Sequence, residues 1–212
     1  MGCFQSKPPP APAKLSEPAA KYAVDSVEEL AQDTNFTIAE LQALQGLFSQ
    51  VSNSVVQDGL IHKEEFILAL FHGTHTGNLF HDRIFDIFDA KKNGVIEFGE
   101  FCRGLSVFHP KADTEDKIKF AFSIYDSDGS GYISKDELKD FLFALMRENS
   151  ELQFSDEELD SVIEQTFHEV DLARDNKIHP EEWQEFCMKN PAVISYMTLP
   201  VLRDLVARFP TK

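Results

Sequence analysis

Asp126-Ser127-Asp128-Gly129-Ser130-Gly131-Tyr132-Ile133-Ser134-Lys135-Asp136-Glu137 is the stretch that decides how this 212-residue chain is read. Oxygen donors recur along it at positions 1, 3, 5, 7, 9 and 12 of a twelve-residue loop. Asp126 and Asp128 supply carboxylates, Ser130 a hydroxyl, Tyr132 its backbone carbonyl, Ser134 a bridging water, and Glu137 both carboxylate oxygens. A hard cation such as Ca2+ wants six to eight oxygens at about 2.3–2.6 Å, and this set matches that demand. Gly131 falls at the sharp turn, where φ must be positive. Ile133 points away from the ion and can pair with an equivalent residue in a neighbouring loop.

Working outward, the end of this stretch recurs. Gly59-Leu60-Ile61, Gly94-Val95-Ile96 and Asn176-Lys177-Ile178 repeat Gly131-Tyr132-Ile133 at spacings of 35, 37 and 45 residues, and each is followed by an acidic residue: Glu65, Glu100, Glu137 and Glu182. This is the helix-loop-helix repeat of EF-hands. In the fourth loop Asp171, Asp175, the Lys177 carbonyl and Glu182 remain as ligands. There Ala173 removes the position-three oxygen, Asn176 tolerates the left-handed turn in place of glycine, and His179 reads as a solvated loop residue. In the second loop Asp89, Asn93, the Val95 carbonyl, Glu97 and Glu100 offer oxygens, but Lys91 sets a positive charge at position three. The first loop is irregular. Counting back from Glu65 puts Ser54 and Val56 at positions one and three, where neither carboxylate exists. A start at Ser52 gives a fourteen-residue loop with Asp58 and Glu65 as charged ligands and backbone carbonyls for the rest. The alternative is a degenerate hand kept because hands fold in pairs.

The flanking segments predict an all-α fold. Thr37 with Glu40, and Ser155 with Glu158, are capping-box pairs at helix starts. Apolar residues then recur at helical spacing, as in Leu41, Leu44, Leu47 and Phe48. The organisation expected is a pair of EF-hands over residues 25–108, a second pair over 109–190, and a C-terminal helix and tail over 191–212 that either covers a groove or caps the core. Nineteen Phe accompany one Trp and four Tyr. Phe66, Phe71, Phe80, Phe85, Phe88, Phe101, Phe108, Phe120, Phe122, Phe141 and Phe143 fall on predicted helices, partly as core and partly as a groove for a partner helix. Cys102 and Cys187 read as buried apolar residues, and three scattered Cys suit a reducing compartment.

Charge excludes a whole class of partner. Thirty-six Asp and Glu against 20 Lys and Arg leave a net charge of −16, the opposite of what replacing phosphate counterions requires, so nucleic acid is not expected to bind. Met1-Gly2-Cys3-Phe4-Gln5-Ser6-Lys7 fits the acceptor pattern for myristoylation of Gly2, and Cys3 offers a thiol for a second chain. One myristoyl chain binds membranes only marginally, whereas two anchor stably, so residues 1–7 read as a two-signal anchor. The Pro-rich stretch that follows, within 8–24, reads as an extended spacer.

Several longer stretches together resemble the plant calcineurin B-like calcium sensors. They are the Met-Gly-Cys start, the long first loop Ser52-Asn53-Ser54-Val55-Val56-Gln57-Asp58-Gly59-Leu60-Ile61, Arg83-Ile84-Phe85-Asp86-Ile87-Phe88-Asp89, Ile96-Glu97-Phe98-Gly99-Glu100-Phe101 with Val107-Phe108-His109-Pro110, and Met197-Thr198-Leu199-Pro200. The resemblance implies two EF-hand pairs in a calmodulin- or calcineurin B-like arrangement, hands one with two and three with four, and no catalysis. It implies a Ser/Thr kinase of the calcineurin B-like-interacting class as partner, its autoinhibitory helix held in an apolar groove, and recruitment to the cytoplasmic side of a membrane, the plasma membrane first. It also implies that the long first loop binds Ca2+. The family's phosphorylated Phe-Pro-Ser-Phe motif is matched by Phe209-Pro210-Thr211-Lys212, with Thr211 as the hydroxyl and the final Phe absent. The alternatives from other classes are the regulatory subunit of a calcineurin-type phosphatase and a calcium buffer.

Overall fold

The computed structural model describes residues 25–71, 79–148 and 154–195. The candidate acylation residues Gly2 and Cys3, the Pro-rich spacer, the residues after Ser195 and the candidate phosphosite Thr211 lie outside the described residues.

Local chemistry starts the helices. Ser26 caps α1 (Val27–Asp33), Thr37 caps α2 (Ile38–Val51) and Ser155 caps α8 (Asp156–Val170), each in a reciprocal box with Glu29, Glu40 or Glu158. The remaining helices are α3 (Lys63–Phe71), α4 (Leu79–Phe88), α5 (Phe98–Ser106), α6 (Thr114–Tyr125), α7 (Lys135–Glu148), α9 (Pro180–Lys189) and α10 (Ala192–Ser195). The all-α expectation holds, with strand pairing confined to the loops. β1 (Ile61–His62) and β2 (Val95–Ile96) pair antiparallel with Ile61 opposite Ile96. Ile133 and Ile178 exchange both backbone hydrogen bonds, at 2.9 and 3.0 Å. Each expected Ile partnership is therefore present.

The apolar faces fill two cores. One gathers Leu41, Leu44, Ile61, Phe66, Phe88 and Ile96 with other residues of α1 to α5, and the other gathers Ile118, Ile133, Ile163, Phe167, Ile178 and Trp183 with other residues of α6 to α10. Phe120 on α6 belongs to the first core. The Phe-rich composition has a structural repeat behind it. Phe48, Phe85, Phe122 and Phe167 each present the carbonyl that accepts the N–H of the first loop residue, Ser52, Asp89, Asp126 and Asp171, at 2.8–2.9 Å, and all four are buried. At Gly104 a Cβ would come within 2.5 Å of the Phe88 ring, so glycine permits the close packing of α5 on α4.

Phe108 departs from expectation. It lies in the turn after α5, its N–H bonded to the Leu105 carbonyl at 3.0 Å, because the residue before Pro110 is sterically disfavoured in the helical region. His109, next in that turn, is buried against Phe36 with ring centroids 5.1 Å apart. Its Nδ1 accepts the Lys111 N–H at 3.0 Å, and its Nε2 lies 3.7 Å from Glu40 Oε1 on α2. Burial lowers its pKa, and the Glu40 carboxylate opposes that effect. Arg103 joins α5 to the α1 region through Asp25 at 2.9 Å and Asp33 at 3.4 Å. Cys102 and Cys187 are buried, and burial pushes their thiols up to about 12 and about 11.

Candidate metal centres

Each loop spans the gap between the end of one helix and the start of the next, and one glutamate fastens both ends. In the third loop Glu137 Oε1 accepts the Ser127 N–H at 2.8 Å and the Asp128 N–H at 3.3 Å. Its Oε2 accepts the Ser134 N–H at 2.9 Å and the Ser134 hydroxyl at 2.8 Å. Glu182 does the same with the Ala173 N–H and the His179 N–H, both at 2.9 Å. Glu100 takes the Lys91 N–H at 2.9 Å and the Glu97 N–H at 3.0 Å. Glu65, fully buried, takes the N–H groups of Val55, Val56 and His62 at 2.9, 3.1 and 3.0 Å. Burial alone would raise the Glu65 carboxyl, but these three amides outweigh it and hold it below the usual carboxylate range.

The first aspartate organises the turn. Asp126 accepts the N–H groups of Ser130 and Gly131 at 2.9 and 3.1 Å, Asp89 those of Asn93 and Gly94 at 3.0 and 2.8 Å, and Asp171 those of Asp175 and Asn176 at 3.2 and 2.8 Å. The turn residue carries positive φ in all four loops: Gly59 at 78°, Gly94 at 82°, Gly131 at 86° and Asn176 at 62°. The first loop has no such aspartate. Ser52 takes the equivalent place, so the structure counts fourteen residues from Ser52 to Glu65.

The four loops differ in how their side chains converge. Carboxylate oxygens of Asp126, Asp128 and Glu137 lie within 4.8 Å of one another, and among the described residues three metal-ligating side chains meet in this way only there. Two oxygens on opposite sides of one Ca2+ are separated by roughly 5 Å, so this set fits the ion. Ser130 donates its hydroxyl to the Tyr132 carbonyl at 3.1 Å, which brings those two oxygens onto the same side of the loop. The Ser130 side chain beside it and the Ser130 N–H, which donates to Asp128 Oδ1 at 2.9 Å, lower the Asp128 pKa.

In the second loop the Lys91 ammonium reaches Glu97 Oε2 at 2.5 Å, and Asn93 donates toward Glu97 Oε1 at 3.5 Å. Glu97, read from sequence as an available oxygen donor, is thus engaged by the lysine. The Val95 N–H bonds Asn93 Oδ1 at 3.2 Å, which leaves the Val95 carbonyl at the loop's seventh position. In the fourth loop His179 is more than a solvated residue: its Nε2 lies 3.1 Å from Asp175 Oδ2, a candidate ligand. That hydrogen bond lowers the Asp175 pKa and raises that of His179. The Lys177 ammonium stands 3.8 Å above the Tyr132 ring, a cation–π contact that links loops three and four beside the Ile133–Ile178 pair. The first loop repeats the histidine arrangement, with His62 Nε2 2.8 Å from Asp58 Oδ2. The His62–Asp58 and Lys91–Glu97 contacts were not read from sequence. For the histidines a signal existed, because Asp58 with His62 and Asp175 with His179 share one four-residue spacing.

Comparison with known proteins agrees with this geometry. A model of the EF-hand domain pair matches residues 115–188, and an EF-hand model matches residues 80–105. Calcineurin B-like protein 5 of Arabidopsis thaliana is 37% identical over 88% of this chain and 92% of its own length. The calcineurin B protein of Schizosaccharomyces pombe is 33% identical over 81% of this chain and 93% of its own, and that of Kluyveromyces lactis is 35% identical over 82% and 93%. Fold and loops together define an EF-hand protein that binds Ca2+ and regulates rather than catalyses. Within that class, the chain belongs to the calcineurin B-like family of calcium sensors.

Proposed function

We propose that this protein binds and activates a Ser/Thr kinase of the calcineurin B-like-interacting class in response to Ca2+, and brings it to a membrane through acyl chains on Gly2 and Cys3. The observation that carries the kinase reading is the fourteen-residue first loop. Its register from Ser52 to Glu65 sets the first hand apart from the regular twelve-residue count of the third, and an irregular first loop argues against a regulatory protein of the calcineurin phosphatase.

When bound, Ca2+ neutralises the clustered carboxylates of a loop and rigidifies it. Asp126 stands at the end of α6, and Glu137 lies in the first turn of α7. Drawing these two carboxylates to one centre fixes the angle between the two helices. The Ile133–Ile178 pairing passes the change to the fourth loop, and an apolar surface for a partner's amphipathic helix opens between the hands.

The test is calcium-dependent binding of the full chain to two purified partners, a kinase of this class and a phosphatase catalytic chain. Kinase binding with Ca2+ that is lost with chelator supports the reading. Binding to the phosphatase alone refutes it and favours the phosphatase-regulator reading, which the similarity to calcineurin B proteins also supports. For the anchor, labelled myristate should be incorporated by the native chain and not by Gly2→Ala. Label that persists in the variant removes the anchor. Among the described residues no helix is long and apolar enough to cross a membrane.

A further inference from the structure

Helices α4 and α6 enter different hands, yet a polar contact joins them that neither loop needs for its own closure. Arg83 on α4 donates from Nε to the Ser123 carbonyl at 2.8 Å and from Nη2 to the Asp126 carbonyl at 2.6 Å. Both carbonyls sit at the C-terminal end of α6, where backbone acceptors lack intrahelical donors and a positive charge is favoured. Asp126 is also the first ligand position of the third loop. Its carboxylate sets the turn through Ser130 and Gly131 while its carbonyl is held from the other pair of hands.

Nearby apolar packing makes the same connection. Phe120 lies among the N-terminal core residues, with ring centroids 5.0 Å from Phe108 and 6.5 Å from Phe88, while Ile118, Ala121 and Phe122 on either side of it belong to the C-terminal core. The last two turns of α6 are therefore fastened to α4 twice, by a ring and by a guanidinium. Beside the contact is a cleft of about 290 Å³, lined by Arg83 and Asp86 of α4 together with Ser127, Glu137 and Phe141. The Arg83 contact thus joins the start of the third loop directly to α4, apart from the residues joining α5 to α6.

We propose that Arg83 is a positioning residue that couples the third calcium loop to the N-terminal pair of hands. Coupling is reciprocal, so filling the third loop stabilises the arrangement of α4 and the β1–β2 pairing, and that arrangement tightens the third loop. A helix cap alone would add stability without transmitting occupancy. The fork geometry matters, because one planar guanidinium reaches two carbonyls and a lysine ammonium would hold them less rigidly.

The experiment is a double-mutant cycle on the full chain, read by hydrogen exchange of the α4 and Ile61/Ile96 amides with and without Ca2+. The four proteins are wild type, Arg83→Gln, Glu137→Gln and the combination. In wild type, Ca2+ should slow exchange of the N-terminal amides, and Glu137→Gln should reverse about fivefold of that protection, the low end of common coupling strengths. In the Arg83→Gln background, adding Glu137→Gln should have a clearly smaller effect, the remainder being carried by the Phe88–Phe120 contact. Arg83→Lys should show an intermediate effect, and it replaces Arg83→Gln in the cycle if the glutamine variant fails to fold. An equal effect of Glu137→Gln with and without Arg83, or full coupling in Arg83→Lys, overturns the proposal.

Discussion

The second and third loops share a backbone and differ in what they hold. Both place an aspartate under the amides of positions five and six, and both end on a glutamate that takes the amides of positions three and nine. At position three the third loop has Asp128, converging with Asp126 and Glu137, whereas the second has Lys91, whose ammonium occupies Glu97. In both loops the carboxylates of the first and last positions hold the backbone through hydrogen bonds from loop amides. The two loops differ at position three, Asp128 against Lys91, and at position nine, Ser134 against Glu97. Where a lysine stands inside the loop, the positive charge is already supplied by the chain.

The widest separation between the two loops should appear on removing the last ligand. Glu137→Gln takes one charge and a bidentate contact from the third site and should weaken it about a hundredfold, roughly 2.7 kcal/mol. Glu100→Gln in the second loop should leave both the stoichiometry and the affinities seen by calorimetry unchanged. An equal loss from both substitutions would mean that the second loop also fills and that the contrast drawn between the loops is wrong.

Converting one loop toward the other should come next. Lys91→Asp replaces a cation by a ligand and releases Glu97, so the protein should gain one measurable Ca2+ site, a change of at least about thirtyfold in affinity or on the order of 2 kcal/mol. An unchanged stoichiometry would show that position three does not control entry.

The fourth loop lies between the two. It keeps Asp171 and Glu182 in the arrangement of the third loop but offers Ala173 at position three, and Asp175 is shared with His179. Ala173→Asp should tighten this site about tenfold, roughly 1.4 kcal/mol, in a titration followed by Trp183 emission. Weaker binding would indicate that added negative charge, and not a missing oxygen, limits the site.

Much of this was legible because EF-hand chemistry is local. Loop spacing predicted the glutamates, the turn glycines and the paired isoleucines, and the capping pairs at Thr37 and Ser155 marked helix starts from four residues each. The contacts that escaped are of two kinds. His179 and Lys91 lie within their loops, but their partners depend on rotamers that composition does not specify. Arg83 to Asp126 and His109 to Glu40 cross 43 and 69 residues of sequence, and no periodicity encodes contacts so distant along the chain. Phe108 was misplaced because apolar spacing continues through Val107 and Phe108 although the His109-Pro110 step ends the helix.

The smallest effect tests whether the lysine in the second loop is mainly a gate or also a brace. The Lys91 side chain is 48% exposed and that of Glu97 only 10%, so one end of the pair sits in water and the other against the fold. Glu97 raises the Lys91 pKa, chiefly through their hydrogen bond, so the lysine stays charged through the neutral range. An ion pair with one exposed partner contributes at most about 1 kcal/mol and is screened by salt. Lys91→Met should therefore destabilise the calcium-free protein by less than about 1 kcal/mol in urea unfolding, and the difference should shrink as ionic strength rises. The same variant removes the positive charge from the loop without adding an oxygen, so Ca2+ binding there should rise less than in Lys91→Asp. A salt-independent loss of several kcal/mol would instead make Lys91 a structural brace of the N-terminal pair, and the contrast with the third loop would then be one of folding as well as of ion entry.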